Sequence, residues 1–245
     1  MFDFLPAESA DPIPGAPLNQ VIAQVKFNAQ SSLSTQQGVG VLYDALSDRY
    51  PRLLTDQQAV ITASPGGVTT TQVPMWRLTT IEGQTTLVVG PEQLAIETNS
   101  YTTWSDTRRA LDEALRALGD IAKPRVRERI GLRYINHISS DQSGSFASSV
   151  RAELRGLVDT DGWRQATTAS LSQMLLRDGN TQLTVRYGSG PLVIEEGLFV
   201  LDIDCADDQP VPFETEDTLR YFDMLNDASY RCFCACVTKE LRAGC

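Results

Sequence analysis

The residue types best suited to bind an anion are concentrated in one stretch, from Lys123 to Ile138. Arginines alternate there with apolar residues, which predicts a strand whose successive side chains point to opposite faces. One face would carry the basic residues Arg125, Arg127, Arg129, Arg133 and His137, and we call it the basic face. The other would carry Val126, Ile130, Leu132, Tyr134 and Ile138. From Arg125 to Arg133 the strand extends about 26 Å, which is long enough to bind a chain of phosphates or an acidic segment of a partner.

The basic face has a second interpretation, because carboxylates elsewhere in the chain can neutralise it. The chain has 31 Asp and Glu residues against 21 Lys and Arg, and surface ion pairs are common. Gly131 interrupts the row of basic residues, at a position where a strand can bulge or another group can approach closely. The sequence leaves open whether the arginines are exposed or already paired.

Asp202 and Asp204, in the segment LDIDC, form a second candidate site. On one face of a strand they would lie about 7 Å apart and repel each other by roughly 2 kcal/mol, so they require a cation. A divalent metal would make the pair structural or catalytic, but it needs a further oxygen ligand that the sequence does not identify. Arg129 or Arg133 would also neutralise the pair if the two strands are neighbours, and we favour this ion pair over a metal site.

Other catalytic and cofactor motifs are missing from the sequence. Cys232, Cys234 and Cys236 form a C-x-C-x-C segment, but on a helix the middle thiol points away from the other two, so the three cannot bind one zinc ion. His137 is the only histidine, and neither a G-x-S-x-G segment nor a phosphate-binding glycine loop occurs. The sequence therefore predicts no cofactor and favours a protein that is not an enzyme.

The composition is that of an ordinary globular protein, with 42% hydrophobic residues in 245. No segment reaches the ~18 apolar residues of a membrane helix, so no membrane association is predicted. A net charge of -10 disfavours nonspecific binding to nucleic acid, because the field of the whole protein repels polyanions. The first 17 residues have neither a basic nor an apolar signal region, so we expect the protein in the cytoplasm.

The predicted elements occur in the same order twice. Residues 1–17 contain four prolines and predict an extended N-terminal arm, with regular structure beginning near Leu18. Residues 18–124 follow the order βαβββα, with a polar loop before the strand that starts at Pro74. Residues 125–245 repeat this order. The sequence thus predicts an α+β fold of two halves, each an antiparallel sheet with helices on one face, joined as a pseudo-twofold saddle or a partly closed barrel.

Three segments resemble an uncharacterised, sporadically distributed prokaryotic family. They are the strand ERIGLRYIN at 128–136, the strand LDID at 201–204, and the end of the last helix, F-x-x-x-V-T-x-E-L-R, at 233–242. The segments PLNQVIAQVKF and LAIETNSYTTW also look like those of the family, so the resemblance covers most of the chain from Pro17 onwards. The patchy distribution of that family implies an accessory-genome or defence-associated role and gives no activity.

We therefore expect a non-enzymatic recognition or sensing module that binds a protein partner through its sheet surface, chiefly with Arg129 and Arg133. One alternative is an effector domain that holds a small anionic ligand between its halves, in a closed pocket lined by both arginines. Another is a metal-dependent enzyme using Asp202 and Asp204, which requires a further carboxylate nearby. The sequence does not predict the oligomeric state.

Overall fold

The computed structural model describes residues 1–8, 13, 16–64, 67–160 and 162–244. Its helices and antiparallel strands confirm the α+β prediction. The elements of the first half are β1 (Leu18–Phe27), α1 (Gln36–Leu46), β2 (Arg52–Ser64), β3 (Gly67–Thr79), β4 (Thr85–Gly90), β5 (Gln93–Thr98) and α2 (Trp104–Ile121). Those of the second half are β6 (Val126–Ser139), α3 (Ala152–Arg155), α4 (Trp163–Ala166), β7 (Ser170–Asp178), β8 (Thr181–Ser189), β9 (Leu198–Asp207), β10 (Val211–Pro212), α5 (Thr215–Cys236) and α6 (Lys239–Gly244).

The chain divides into two compact units, and each is built from separated segments. The first unit consists of Ile22–Ile130 and Asp208–Phe222. The second unit consists of Met1–Val21, Gly131–Asp207 and Asp223–Cys245. Strands β1 and β6 and helix α5 each contribute residues to both units.

The sheet of the first unit has the strand order β2-β3-β4-β5-β1-β6, with β10 paired to β6. The predicted antiparallel run of β3, β4 and β5 is confirmed. The predicted polar loop before Pro74 is wrong, because β2 and β3 pair along their whole length, from Arg52 opposite Thr79 to Ser64 opposite Gly67. Residues 54–59 of β2 are exposed on both faces, so this terminal strand lacks the apolar alternation by which strands are recognised in a sequence.

Helices α1 and α2 supply much of the core of the first unit. The predicted T-x-x-D cap is confirmed, since the Thr103 hydroxyl accepts a hydrogen bond from the Asp106 N–H and donates one to the Asp106 carboxylate. The predicted apolar stripe of α2 is buried at Leu111, Leu115 and Leu118. These features fix where α2 begins and which side of it packs inward.

Two glycines in α1 are expected to respond oppositely to substitution by alanine. A Cβ at Gly38 would lie 1.9 Å from the backbone oxygen of Ser32, whereas a Cβ at Gly40 would meet nothing within 4 Å. We expect Gly38→Ala to lower the free energy of unfolding by about 1–2 kcal/mol, because the turn at 31–34, which carries the buried Leu33, must shift. We expect Gly40→Ala to raise it by up to about 1 kcal/mol, because alanine favours the helix. Urea denaturation of both variants tests this, and the same sign for both would contradict it.

Tyr50 is a fully buried aromatic residue of the first unit, and its hydroxyl has no hydrogen-bond partner among the described residues. Burial raises the pKa of Tyr50 to about 12. An unfolded tyrosine ionises near pH 10, so the unfolded state releases this proton first and Tyr50 lowers stability as the pH rises from about 10 towards 12. We expect Tyr50→Phe to be neutral or stabilising by up to about 1 kcal/mol at pH 7.

The same variant should lose less stability in alkali than the wild type, by about 1 kcal/mol at pH 10.5. Urea denaturation at pH 7 and at pH 10.5 measures both differences. An equal loss of stability in the two proteins between these pH values would show that Tyr50 ionises normally in the folded state.

The sheet of the second unit has the strand order β6-β9-β8-β7, with the first residues of β1 also beside β6. The predicted hairpin turn at 178–180 is confirmed, because Asp178 pairs with Thr181 and Gly179 has a φ of 60°. Leu201 and Ile203 of β9 are fully buried, and the Tyr134 hydroxyl of β6 donates a 2.7 Å hydrogen bond to Asn226 of α5. Helix α5 therefore packs on one face of this sheet.

Among the described strands, β2 in the first unit and β7 in the second each pair with a single neighbour. Neither sheet closes on itself, so the expectation of a partly closed barrel is wrong. No helix within the described ranges is both long and apolar enough to cross a membrane.

The start of the chain differs from the predicted extended arm. Phe2 and Leu5 are buried in the second unit, with exposed fractions of 1% and 8%. Packing against the rest of the second unit therefore begins at Phe2, well before Leu18. Residues 9–12 and 14–15 of the predicted arm lie outside the described part of the chain.

Candidate functional site

The predicted basic residues belong to different units. Arg125, Arg127 and Arg129 lie in the first unit, whereas Arg133 and His137 lie in the second. Arg125 has an exposed side chain, and its backbone N–H donates a 2.8 Å hydrogen bond to Asn28.

Arg127 departs from the predicted arrangement. It is 5% exposed, and its guanidinium carbon lies 5.0 Å from the centre of the Tyr221 ring on α5, in cation–π contact. In a regular strand Glu128 and Ile130 would point to the same face. Glu128 is exposed whereas Ile130 is buried, so the alternation is interrupted between these two residues. Arg127 therefore packs beneath a helix and is unsuited to contact a partner.

Arg129 is paired within the first unit. Its Nε lies 3.0 Å from a carboxylate oxygen of Asp208, and its Nη1 donates a 3.0 Å hydrogen bond to the side-chain oxygen of Gln24. Asp208 is itself largely exposed, so this is a surface ion pair of small energetic value. For Arg129, neutralisation by a neighbouring carboxylate is therefore the arrangement observed.

His137 is partly exposed at the end of the row, and its backbone N–H donates a 2.7 Å hydrogen bond to the carbonyl of Pro17. Within the described parts of the chain, no group of three His, Cys, Asp or Glu side chains is placed to hold a metal ion. Cys205, Cys232, Cys234 and Cys236 are buried free thiols. Burial raises the pKa of Cys205 to about 12, so this thiol stays protonated at neutral pH.

Arg133 makes the strongest contact of the predicted basic face. Strands β6 and β9 are neighbours, as the ion-pair prediction required. The Nε of Arg133 donates a 2.7 Å hydrogen bond to Asp202 Oδ1, and its Nη2 donates a 2.7 Å hydrogen bond to Asp202 Oδ2. This two-point geometry is the strong form of an arginine–carboxylate pair, and it confirms the predicted pairing of the two strands.

A second arginine binds the same carboxylate. Arg186 of β8 lies opposite Asp202 in the strand register, and its Nη1 donates a 3.1 Å hydrogen bond to Asp202 Oδ2. The Nε of Arg186 donates a 3.0 Å hydrogen bond to Gln173 of β7, which lies opposite Arg186 on the other side. We call Arg133, Arg186, Asp202 and Gln173 the arginine cluster; each comes from a different strand of the second unit.

The cluster lies on the face of the sheet away from α5. Asp202 alternates with the buried Leu201 and Ile203, which face the other way. The Asp202 side chain is only 6% exposed, whereas those of Arg133 and Arg186 are 39% and 34% exposed. The carboxylate is therefore covered by two guanidinium groups that solvent can still reach.

The negative charge of Asp202 stabilises the positive charges of Arg133 and Arg186 and holds both guanidinium groups in place. The hydrogen bonds to Asp202 raise the pKa of Arg133, with a smaller contribution from the nearby charge of Asp204. Two arginines and one contacting carboxylate leave one positive charge, and Asp204 offsets part of it. The cluster is therefore distinguished less by net charge than by the fixed orientation of its donors.

These donors could bind an acceptor from outside. An arginine has five N–H donors, so the two have ten, and the contacts within the cluster use four of them. The remaining N–H groups lie on partly exposed side chains, where a carboxylate or phosphate oxygen could accept from them. Both oxygens of Asp202 are already bound to guanidinium groups, which makes Asp202 a poor metal ligand.

Sequence reasoning identified Arg133 and Asp202 but missed Arg186 and Gln173. Arg186 lies in the segment TQLTVRYGS, which carries no charge pattern of its own. Its relevance depends on which residue of β9 it faces, and that register cannot be deduced from one sequence.

In comparison with known proteins, no family model and no curated protein sequence matches the chain.

Proposed function

We propose that this protein is a non-enzymatic recognition module whose second-unit sheet binds an acidic segment of a protein partner through Arg133 and Arg186. The observation that carries this proposal is the shared carboxylate of Asp202, which holds two partly exposed guanidinium groups in place. Fixing these side chains beforehand reduces the entropy that binding would otherwise cost. Asp202 acts in this account as a positioning residue and does not contact the partner.

The alternative is an effector domain for a small anionic ligand, which predicts a closed pocket lined by arginines. The two cavities that can be described both lie in the first unit, and neither is lined by Arg129 or Arg133. The larger has a volume of about 940 Å³ and is bordered by a mixture of neutral polar and apolar residues, with Lys26 and Glu92 as its charged residues. The partly exposed side chains of Arg133 and Arg186 favour an exposed binding surface over an enclosed ligand site.

We also propose an internal duplication, a pseudo-twofold saddle, and a cytoplasmic location with an accessory-genome or defence-associated role. Internal duplication is supported by strand order, because β3-β4-β5-β1 in one half corresponds to β7-β8-β9-β6 in the other. The predicted pseudo-twofold saddle depends on that duplication. A cytoplasmic location and an accessory-genome or defence-associated role in a prokaryote are supported by sequence features and by the family resemblance.

Native mass spectrometry of the protein purified from its host tests the proposed function. We expect a bound protein in wild-type samples and in Arg177→Ala, which removes an exposed arginine outside the cluster. We expect it to be absent from Arg133→Ala, and cross-linking should place an acidic segment at β6 and β8. A bound small anion would support the effector-domain alternative, and a partner retained equally by all three proteins would contradict a role for the cluster.

A further inference from the structure

The first residues of the chain are held by a single arginine side chain on α5. Arg231 donates hydrogen bonds to four backbone carbonyls, those of Met1 (3.3 Å), Phe2 (3.0 Å), Leu5 (3.0 Å) and Pro6 (3.0 Å). Asp227, one turn earlier on the helix, lies 3.1 Å from Arg231 Nη1 and orients it. Contacts to backbone carbonyls hold a peptide whatever its side chains are, as in grooves that recognise extended peptides.

Side chains at every third position add specificity to this contact. Phe2 is 1% exposed and Leu5 8% exposed, while Phe4 between them is 67% exposed. The backbone N–H of Phe2 donates a 2.6 Å hydrogen bond to Asp178 at the β7–β8 turn. Glu8 lies 2.8 Å from Arg242. The side chains of residues 2, 5 and 8 therefore anchor the segment in addition to the carbonyl contacts of Arg231.

We propose that Asp178, Arg231 and Arg242 form a peptide-binding groove in the second unit, and that residues 1–8 are its tethered occupant. The groove would also accept a partner segment of the same chemistry, with an aromatic residue, a leucine three positions later and a carboxylate three positions after that. Residues 9–17 join the occupant covalently to β1, so a segment from another molecule must compete with an intramolecular one. A competing segment then binds only when the occupant is released. This groove does not depend on the arginine cluster, so either proposal can fail alone.

The first test separates the occupant from its tether. A protease site is introduced between residues 9 and 16, and the cleaved protein is titrated with a peptide of residues 1–8 that has a free amino group, as Met1 has beside Asp178, and a fluorescent label at its C-terminal end. We expect one saturable site after cleavage, and at least tenfold weaker binding to the uncleaved protein. A peptide with Phe2→Ala should bind at least tenfold more weakly, because it lacks the buried ring.

Three results would overturn the proposal. The cleaved segment could fail to exchange with the labelled peptide, the protein could lose its circular dichroism signal when the segment leaves, or the Phe2→Ala peptide could bind as tightly as the original. Each would show that residues 1–8 are a fixed part of the fold.

A second test uses the intact chain. Arg231→Lys keeps the charge but loses the planar set of donors, so we expect at least tenfold faster hydrogen exchange of the Leu5 amide, which donates to the Phe2 carbonyl. Arg220→Lys, on an exposed arginine of the same helix, is the control and should leave this exchange unchanged. Equal exchange rates in the two variants would contradict the role assigned to Arg231.

Discussion

Substitution of Arg133 by alanine should lower the free energy of unfolding by about 2 kcal/mol. The change removes both hydrogen bonds at one side of Asp202 and leaves a carboxylate that is 6% exposed with Arg186 as its remaining cationic contact in the cluster. A buried charge that loses its partner costs more than the surface pair of Arg129 and Asp208. Urea denaturation measures the difference.

Two further variants separate charge from geometry at this position. Arg177→Ala removes the same charge from an exposed site on β7 and should change stability by less than about 0.5 kcal/mol. Arg133→Lys keeps the charge but lacks the planar pair of donors that matches the two carboxylate oxygens, so it should recover only part of the loss. Equal losses in Arg133→Ala and Arg177→Ala would mean that the contact to Asp202 contributes little.

Gly188→Ala should be the most destabilising of the substitutions considered, with a loss of about 3 kcal/mol. Gly188 lies opposite Leu171 in the β7–β8 pair, and an added Cβ would lie 1.9 Å from the backbone oxygen of Ser170. Backbone atoms cannot rotate away as a side chain does, so the two strands must separate. Because β7 carries Gln173, the loss should also disturb Arg186.

Gly179→Ala, in the turn of the same hairpin, is the matched control. A Cβ there meets nothing within 4 Å, but φ is 60°, so only the left-handed backbone conformation opposes the substitution. We expect a smaller loss, of about 1–2 kcal/mol. Thermal and urea denaturation rank the two variants, and a larger loss for Gly179→Ala would contradict the close approach of β7 and β8 at Gly188.

Local signals in the sequence predicted the features that depend on neighbouring residues. The cap at Thr103, the apolar stripe of α2 and the hairpin turn at Gly179 all follow from residues a few positions apart. The pairing of Arg133 with Asp202 was also predictable, because two carboxylates on one strand face require a cation and few arginines lie on a suitable strand.

Features that depend on tertiary contacts could not be predicted in this way. Residues 54–59 of β2 are exposed on both faces and show no apolar alternation, although the strand pairs along its length with β3. The burial of Phe2 depends on Arg231, which is more than two hundred residues away in the chain. Arg186 belongs to the arginine cluster because the register of β8 and β9 places it opposite Asp202. In each case the local structure depends on a residue far away in the sequence, and neither composition nor local pattern identifies that residue.

The most direct test of the central claim is the affinity of a fluorescent hexaglutamate peptide, measured by anisotropy at low salt. We expect Arg133→Ala to bind it at least tenfold more weakly than the wild type, and Arg177→Ala to bind it within about twofold. Asp204→Asn removes a nearby negative charge without touching the shared carboxylate, so it should bind about threefold more tightly. Unchanged affinity in Arg133→Ala, or an equal loss in Arg177→Ala, would contradict recognition of an acidic partner by the arginine cluster.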